Sequence, residues 1–432
     1  MIRTPFIPLA AAAILLTLPR APLEGAPRVD QDADAPAAST VPSRTQKTLG
    51  YLRERAGSLL PQSESRQHQE AILREIERLG GTHQIERDAR GSQFLAVTCQ
   101  GTDAELEQLR GLEKLRWLDV SRTNITDEGL AKIRDLKQLQ ALKLQQTRVT
   151  DAGLANLSGL TALEGLTLHD TKTSAAGLDH LRPLVNLKIL NLSWTNTGDD
   201  GLDVVSQFSS LEELYLLDAK VTDQGVPRLA RLRNLQALKL SYNPITVQGL
   251  ASLKGMPKLE VLWFDFTQIN SEALAYLQTI PTLRGLYIGE SQVTDAGLAH
   301  LRKIPRLELL DLANLPITDD GLKKLERCPL LQLLSLEGTN VTSAGMASLG
   351  RLSNLAEINL ANTAVDDRGV AALVRLGHLT SLNLAQTRVT DVALANVSRW
   401  PQLQELNVRG TKVTDAALAE IERVHPNLKI VR

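Results

Sequence analysis

The histidines and cysteines are the side chains of this sequence best suited to acid-base, nucleophilic or metal chemistry. The seven histidines are His68, His83, His169, His180, His300, His378 and His425. They are scattered, because even His180 and His300, which share a place in the repeat described below, are five repeats apart, on the order of 24 Å. The sequence has no His-Glu-x-x-His, Gly-x-Ser-x-Gly or phosphate-binding glycine motif. We therefore expect a protein that is not an enzyme and takes no cofactor.

The two cysteines, Cys99 and Cys328, lie far apart in the sequence. Such a pair indicates neither a disulfide framework nor a zinc motif, and we expect both to be small buried hydrophobes.

A series of aspartates could indicate calcium, and its members are Asp127, Asp151, Asp223, Asp295, Asp391 and Asp415. Each of them follows a threonine, and Thr-Asp suits the start of a helix. The threonine would cap the helix, and the helix dipole favours an acidic residue in the first turn. We interpret the series as helix starts and predict no metal site.

These motifs belong to elements that repeat every 24 residues. One position of the repeat, which we call the tick, is usually threonine. It recurs at Thr123, Thr147, Thr171, Thr195, Ala219, Asn243, Thr267, Ser291, Leu315, Thr339, Thr363, Thr387 and Thr411. A Leu-x-Leu pair precedes the tick, which predicts a short strand with both leucines inward. We expect the tick hydroxyl to satisfy backbone groups where the chain leaves the strand. After the tick the sequence commonly reads Ile/Val-Thr-Asp-x-Gly-Leu, which predicts a short helix with glycine for tight packing at its start.

This pattern resembles the leucine-rich-repeat family, and specifically a bacterial type with threonine ticks. The resemblance covers roughly residues 94–432 and thirteen regular repeats, with degenerate units at both ends. It implies an α/β solenoid with a parallel sheet on its concave side and short helices on its convex side. Thr102-Asp103 would belong to a front capping repeat, and residues 425–432 would form a terminal strand.

The segment before the repeats divides into three parts. Residues 1–26 contain Arg3 and an apolar run from Phe6 to Leu18, which indicates a signal peptide or a retained N-terminal anchor. Residues 27–45 read as a disordered linker, and residues 46–93 as a helical cap whose helix ends at Gly80-Gly81. We therefore expect a secreted or cell-envelope protein.

Aromatic side chains concentrate on the outward positions of the predicted sheet. The chain has four Trp, five Tyr and five Phe, and six of these fourteen fall on that face within five consecutive repeats. Because Tyr and Trp dominate binding hot spots and also suit sugar rings, we predict a partner site for a protein or a glycan. Its predicted residues are Trp194, Tyr215, Tyr242, Trp263, Asp265, Phe266 and Tyr287.

Charge on the same outward columns is acidic, although the formal net charge of the chain is only −1. The acidic members are Asp119, Asp170, Glu213, Asp218, Asp265, Glu290, Asp311, Glu337, Glu357 and Glu405, against Arg122, Lys143, Lys239 and Arg409. This balance excludes nucleic acid and suits a cationic or neutral partner. Asn359, Asn383 and Asn407 form a column that could bind a ligand, although duplication of the repeat accounts for it equally well.

The sequence leaves several functions open. The first is an exported, monomeric recognition protein that binds a protein or glycan on the concave face. An intracellular F-box adaptor of ubiquitin ligases also carries such repeats, but Leu60-Pro61-Gln62-Ser63 matches an F-box start poorly. A repeat-bearing bacterial ligase would need a separate catalytic cysteine domain, and a purely structural envelope protein would need no ligand at all.

Overall fold

The computed structural model describes residues 64–88 and 92–432. The predicted signal or anchor (1–26), the linker (27–45) and the first part of the cap (46–63) lie outside the described residues. In the described part, no helix is long and apolar enough to cross a membrane.

The strands of the described residues form one sixteen-stranded sheet. They are β1 Thr82–Arg87, β2 Gln93–Thr98, β3 Leu115–Asp119, β4 Ala141–Lys143, β5 Gly165–Thr167, β6 Ile189–Asn191, β7 Glu213–Tyr215, β8 Ala237–Lys239, β9 Val261–Trp263, β10 Gly285–Tyr287, β11 Leu309–Asp311, β12 Leu333–Ser335, β13 Glu357–Asn359, β14 Ser381–Asn383, β15 Glu405–Asn407 and β16 Lys429–Val431. Spatial order follows sequence order, which is the topology of a solenoid.

A short helix follows most strands. The α-helices are α1 Glu64–Arg78, α2 Asp103–Leu106, α3 Asp127–Ile133, α4 Asp151–Leu154, α5 Ala175–Leu178, α6 Gly198–Val205, α7 Val226–Leu229, α8 Val247–Ala251, α9 Leu274–Leu277, α10 Asp295–Leu301, α11 Asp319–Leu325, α12 Met346–Leu349, α13 Asp367–Ala372, α14 Asp391–Leu394 and α15 Asp415–Val424. Short 3-10 helices are Glu107–Gly111, Ala155–Leu157, Asp179–Leu181 and Val397–Arg399.

The strand register repeats without interruption from β3 onward. Leu118 pairs with Leu142, and Leu142 with Leu166, so each step is one 24-residue repeat. All pairs from β2 to β16 are parallel. The predicted α/β solenoid with a parallel sheet is confirmed.

The core is a continuous column of leucines between the sheet and the helices. In one repeat, Leu142, Leu144, Leu154, Leu157 and Leu160 are each at most 1% exposed. Each such side chain contributes roughly 1.5–3 kcal/mol on burial. A single repeat cannot bury them alone, so neighbouring repeats stabilise one another.

The threonine ticks behave as predicted. The Thr147 hydroxyl donates to the Leu144 carbonyl at 2.7 Å, which satisfies a backbone group at the end of the strand. The same bond recurs at Thr123, Thr171, Thr195, Thr267, Thr339, Thr363, Thr387 and Thr411. Asn243 reaches further, because its amide donates to Leu216 of the preceding repeat and accepts from the Val221 N–H.

The N-terminal cap differs from the predicted all-helical segment. Helix α1 ends at Arg78, and the positive φ of Gly80, 82°, allows the Gly81 N–H to bond the Ile76 carbonyl, so the predicted stop at Gly80-Gly81 is confirmed. Residues 82–87 and 93–98 then form an antiparallel β-hairpin instead of helix. The hairpin forms because β2 continues the parallel sheet, with Val97 pairing to Leu118. Pairing to the sheet, and not a local sequence pattern, therefore decides the structure of this segment.

Candidate partner-binding surface

The outward side chains of the sheet lie in columns that run from strand to strand. In the repeat of β9, Trp263 belongs to a middle column, Asp265 to a floor column and Phe266 to a turn column. The middle column of the central repeats is Asn191, Tyr215, Lys239, Trp263, Tyr287 and Asp311. The floor column there is Ser193, Leu217, Ser241, Asp265, Gly289 and Ala313, and the turn column is Trp194, Asp218, Tyr242, Phe266, Glu290 and Asn314.

The middle column supports the backbone in six of the described repeats. There a carboxylate or amide oxygen accepts the backbone N–H two residues later, as Asn383 does from Ala385 at 3.0 Å. The other residues that do so are Asp119, Asn191, Asp311, Asn359 and Asn407. This bond is an Asx-type cap, so the asparagine column of the last repeats supports the backbone. Tyr215, Lys239, Trp263 and Tyr287 lack this cap in four consecutive repeats, and Lys143, Thr167 and Ser335 lack it elsewhere in the column.

The turn column holds its residues in the left-handed backbone region. Trp194, Tyr242 and Phe266 have φ of 58°, 60° and 55°. The conformation belongs to the repeat, since each N–H donates to a carbonyl of the next repeat, such as Trp194 to Leu217 at 2.7 Å. Glycine and asparagine adopt it most easily, and bulky residues are unusual there. The three aromatics thus occupy positions that local conformational preference disfavours.

The structure brings the predicted aromatics together in two ladders. The inner ladder is Tyr215, Trp263 and Tyr287, and the outer ladder is Trp194, Tyr242 and Phe266. In the inner ladder the rings of Trp263 and Tyr287 stack with centroids 5.3 Å apart and planes at 15°, and Tyr215 lies 6.4 Å from Trp263.

The outer ladder is built in the same way. Tyr242 and Phe266 stack at 4.1 Å and 18°, and Trp194 lies 6.4 Å from Tyr242. The stacked rings therefore face the neighbouring repeats. The two ladders flank the floor column of small residues and Asp265.

The two ladders differ in the exposed fraction of their side chains. Tyr215 and Trp263 are only 3% and 8% exposed, whereas Trp194 and Tyr242 are 47% and 40% exposed. The hydroxyl of Tyr215 donates to Glu213 at 2.6 Å, which ties the buried end of the inner ladder to the sheet. The outer ladder therefore offers the larger free contact area.

Asp265 lies between the ladders as the central charge of the surface. The Ser241 hydroxyl donates to its carboxylate at 3.0 Å. Burial, together with the negative charge of Asp311, raises the pKa of Asp265 to about 6. Lys239 lies nearby with its ammonium 6.0 Å from the centroid of the Trp263 ring, and burial lowers the pKa of Lys239.

The two cysteines contribute no reactive group to this surface. Cys99 and Cys328 are buried thiols, and burial raises their pKa values to about 12 and about 11. Among residues 64–88 and 92–432, no group of three or more His, Cys, Asp or Glu side chains is arranged to hold a metal ion.

Comparison with known proteins agrees with the geometry. Residues 94–297 match the sequence model of the family described as Leucine-rich repeat region. An internalin from Listeria monocytogenes has a similar structure, with a TM-score of 0.52 and 22% identity over 69% of this chain and 82% of that one. The fold is that of a leucine-rich-repeat protein.

Two further structures resemble this leucine-rich-repeat protein. One is a leucine-rich-repeat protein from Leptospira interrogans, with a TM-score of 0.51 and 18% identity over 76% of this chain and 92% of that one. A plant peptide hormone receptor in complex with RGF2 is more distant, at a TM-score of 0.39 and 14% identity over 75% and 67% of the two chains. At these identities the first two similarities establish the fold alone. No curated protein matches the sequence.

Sequence reasoning placed all seven predicted residues on one surface of this leucine-rich-repeat protein but missed two features of it. The sequence predicted only that Lys239 is one of the basic residues of the outward columns. In the structure it lies in the middle column between Tyr215 and Trp263 of the inner ladder. It also missed a second aromatic group at the N-terminal end, where the Lys143 ammonium lies 4.9 Å from the Trp117 ring centroid and 3.8 Å from Asp119. The 24-residue spacing of Asp119 and Lys143 was the available signal.

Proposed function

We propose that this chain is an exported, non-catalytic recognition protein that binds a macromolecular partner through the two aromatic ladders and Asp265. One observation carries the proposal: four consecutive middle-column positions hold Tyr, Lys, Trp and Tyr, and three turn positions hold aromatics where asparagine or glycine would be easier. Folding alone does not require these side chains. Neighbouring repeats of the same chain fold with Asn191 in the middle column and with Asn314 and Asn362 in the turn column.

The size and rigidity of the surface also support binding. The ladders span five repeats at about 4.8 Å per strand, so the aromatic surface extends roughly 20 Å. Rigid aromatic side chains lose little conformational entropy on binding. Export is supported by the composition of residues 1–26, and an intracellular adaptor has no comparable support in the described residues.

The test uses replacements that the fold already contains. In the ladder variant, Trp194, Tyr242 and Phe266 become Asn, as at position 314, and Tyr287 becomes Asn, as at position 383. A matched control changes Gln146, Lys143 and Gln386 to Asn in the same columns outside the ladders. Each chain is used as bait for affinity capture from the envelope and extracellular fractions of its native cells.

A partner that the wild type and control retain, and that the ladder variant loses, would support this site. Circular dichroism and thermal unfolding would establish that all three chains are folded. Equal capture by the ladder variant would remove the ladders from consideration, and the absence of any specific partner would favour a purely structural role.

A further inference from the structure

The ladders end at Phe266 and Tyr287, and each of these rings stacks on a single neighbouring ring among the described residues. Phe266 uses one face to stack on Tyr242, and Tyr287 uses one face to stack on Trp263. Their other faces are turned toward the repeats that follow. The floor column at this place contains Gly289 and Ala313, so little side-chain volume fills the space between them.

Carboxylates follow these two rings in the same columns of the sheet. Glu290 follows Phe266 in the turn column, and Asp311 follows Tyr287 in the middle column. Burial raises the pKa of Tyr287, and the negative charges of Asp311 and Asp265 raise it further. These carboxylates are therefore close enough to act on the Tyr287 hydroxyl. In the three columns, no Lys or Arg occurs from Val261 to Gln386. Arg284, at the edge of β10, is paired with Glu308 at 2.8 Å.

The N-terminal end of the same sheet shows what such a combination binds. There an aromatic ring, Trp117, and a carboxylate, Asp119, hold the ammonium of Lys143. An ammonium over an aromatic face gains from the ring quadrupole, and a carboxylate beside it adds charge attraction. Phe266 and Tyr287 lie in other columns than Trp117, but they too share the outward face of the sheet with carboxylates, namely Asp265, Glu290 and Asp311.

We infer that the C-terminal end of the ladders binds a basic side chain, lysine or arginine, presented by a partner protein. The inference rests on the proposed function and names the partner class for the same site. Charge complementarity decides the occupant, since the columns around Phe266 and Tyr287 are acidic. A glycan would need open ring faces along the ladders, but stacking covers those of Tyr242 and Trp263.

The first experiment observes the site directly. The full chain is labelled with 5-fluorotryptophan, so its four tryptophans give four fluorine resonances. The probes are Nα-acetyl-lysine methylamide and its neutral Nε-acetylated counterpart. We expect the cationic probe to shift the Trp263 resonance saturably, and the neutral probe to leave it unchanged. Trp400, which is 2% exposed, serves as the internal reference.

Charge-removing variants then test the carboxylates. Glu290→Gln with Asp311→Asn removes two charges and introduces residues found in the same columns at Gln386 and Asn383. The matched control, Asp119→Asn with Asp170→Asn, removes two charges from the same columns at the other end. The site variant should weaken the cationic probe roughly tenfold, whereas the control should leave its affinity within about twofold. An equal loss in both variants would mean nonspecific attraction and would overturn the inference.

The affinity of the cationic probe should also depend on pH. Asp265 faces Lys239, Ser241, Tyr242, Tyr287 and Asp311, and burial raises its pKa to about 6. Since only its ionised form attracts a cation, affinity should rise as the pH increases from 5 to 7. In Asp265→Asn this rise should be lost.

The outcomes distinguish this inference from the proposed function. Equal shifts with both probes, or a Trp263 shift with chitotetraose and none with the lysine probe, would overturn the basic-side-chain inference while the ladders remained the site. No shift with the lysine probe would overturn it as well. The proposed function fails if the ladder variant still captures the partner, or if the wild-type chain captures no specific partner.

Discussion

Asp319 accepts two hydrogen bonds from Thr342 of the next repeat, one from its backbone N–H at 2.8 Å and one from its hydroxyl at 2.6 Å. The pair joins the start of one helix to the start of the next. The same link occurs at Asp103–Thr126, Asp127–Thr150, Asp151–Ser174, Asp199–Thr222, Asp223–Thr246, Asp295–Thr318, Asp367–Thr390 and Asp391–Thr414. The aspartate of the repeat is thus an inter-repeat link, in addition to any favourable effect on the helix dipole.

Helix α11 allows the two roles to be separated. Its first turn contains both Asp319 and Asp320, but Asp320 is exposed and pairs only with Lys323 within the helix, at 2.7 Å. Asp319→Ala should lower the free energy of unfolding by about 2–3 kcal/mol, since it leaves the Thr342 N–H and hydroxyl without their acceptor. Asp320→Ala should change it by less than about 0.5 kcal/mol. Urea unfolding followed by circular dichroism measures the free energy of unfolding of both variants. Equal losses would mean that these aspartates stabilise the protein mainly through the helix dipole.

The left-handed backbone at Trp194 leads to a second prediction. Because asparagine tolerates positive φ and the ring of Trp194 is half exposed, Trp194→Asn should leave the free energy of unfolding within about 1 kcal/mol of wild type. Trp194→Val should lower it by about 1–2 kcal/mol, since a β-branched residue is strained at φ of 58°. Thermal unfolding of the two variants checks the difference. Similar losses in both would show that ring contacts, and not backbone conformation, decide stability here.

Asp265 should make the folded state less stable as the pH rises. Burial raises its pKa from 3.8 to about 6, so the folded state binds a proton more tightly than the unfolded state does. Stability from this group is therefore lost as the pH increases from about 4 to about 6. Asp265→Asn should raise the free energy of unfolding by about 1–3 kcal/mol at pH 7.5 and hardly change it below pH 4. A variant with the same effect at both pH values would contradict the assignment.

The buried thiols should be unreactive in the folded protein. Burial raises the pKa of Cys99 to about 12 and that of Cys328 to about 11, so little thiolate exists at pH 8. Alkylation by iodoacetamide, followed by mass spectrometry, should be at least about a hundredfold slower than in 6 M guanidinium chloride. Rapid labelling of either cysteine in the folded state would show that its repeat opens locally.

Periodicity predicted the repeating elements well because each repeat uses the same few contacts. Leu142 and Leu144 are buried, and Thr147 bonds the strand end, as the pattern indicates. The cap was predicted less well, since residues 82–87 have no periodic signal and become strand by pairing with β2. The link from Asp319 to Thr342 was also missed, because a helix-start motif satisfies local rules whether or not its carboxylate reaches the next repeat.

The sequence likewise predicted some features of the candidate surface, whereas others became visible only in the structure. Column positions follow from the 24-residue period, so the shared surface of Trp194, Tyr242 and Phe266 was predictable. Their exposure was not, because it depends on side-chain packing between repeats. Trp263 is nearly buried while Trp194 is half exposed, although both occupy outward positions.

The sequence by itself determined the solenoid, its repeat length, its inward leucines and the columns on which the aromatics lie, because a strict period places equivalent residues at equivalent positions. The tertiary structure decided which side chains touch. Stacking turned ring faces toward neighbouring repeats, Asp265 came to lie between the ladders, and the aspartates bridged successive helices. These relationships depend on distances of a few ångströms between residues that are 22 to 48 positions apart, which a one-dimensional pattern does not contain.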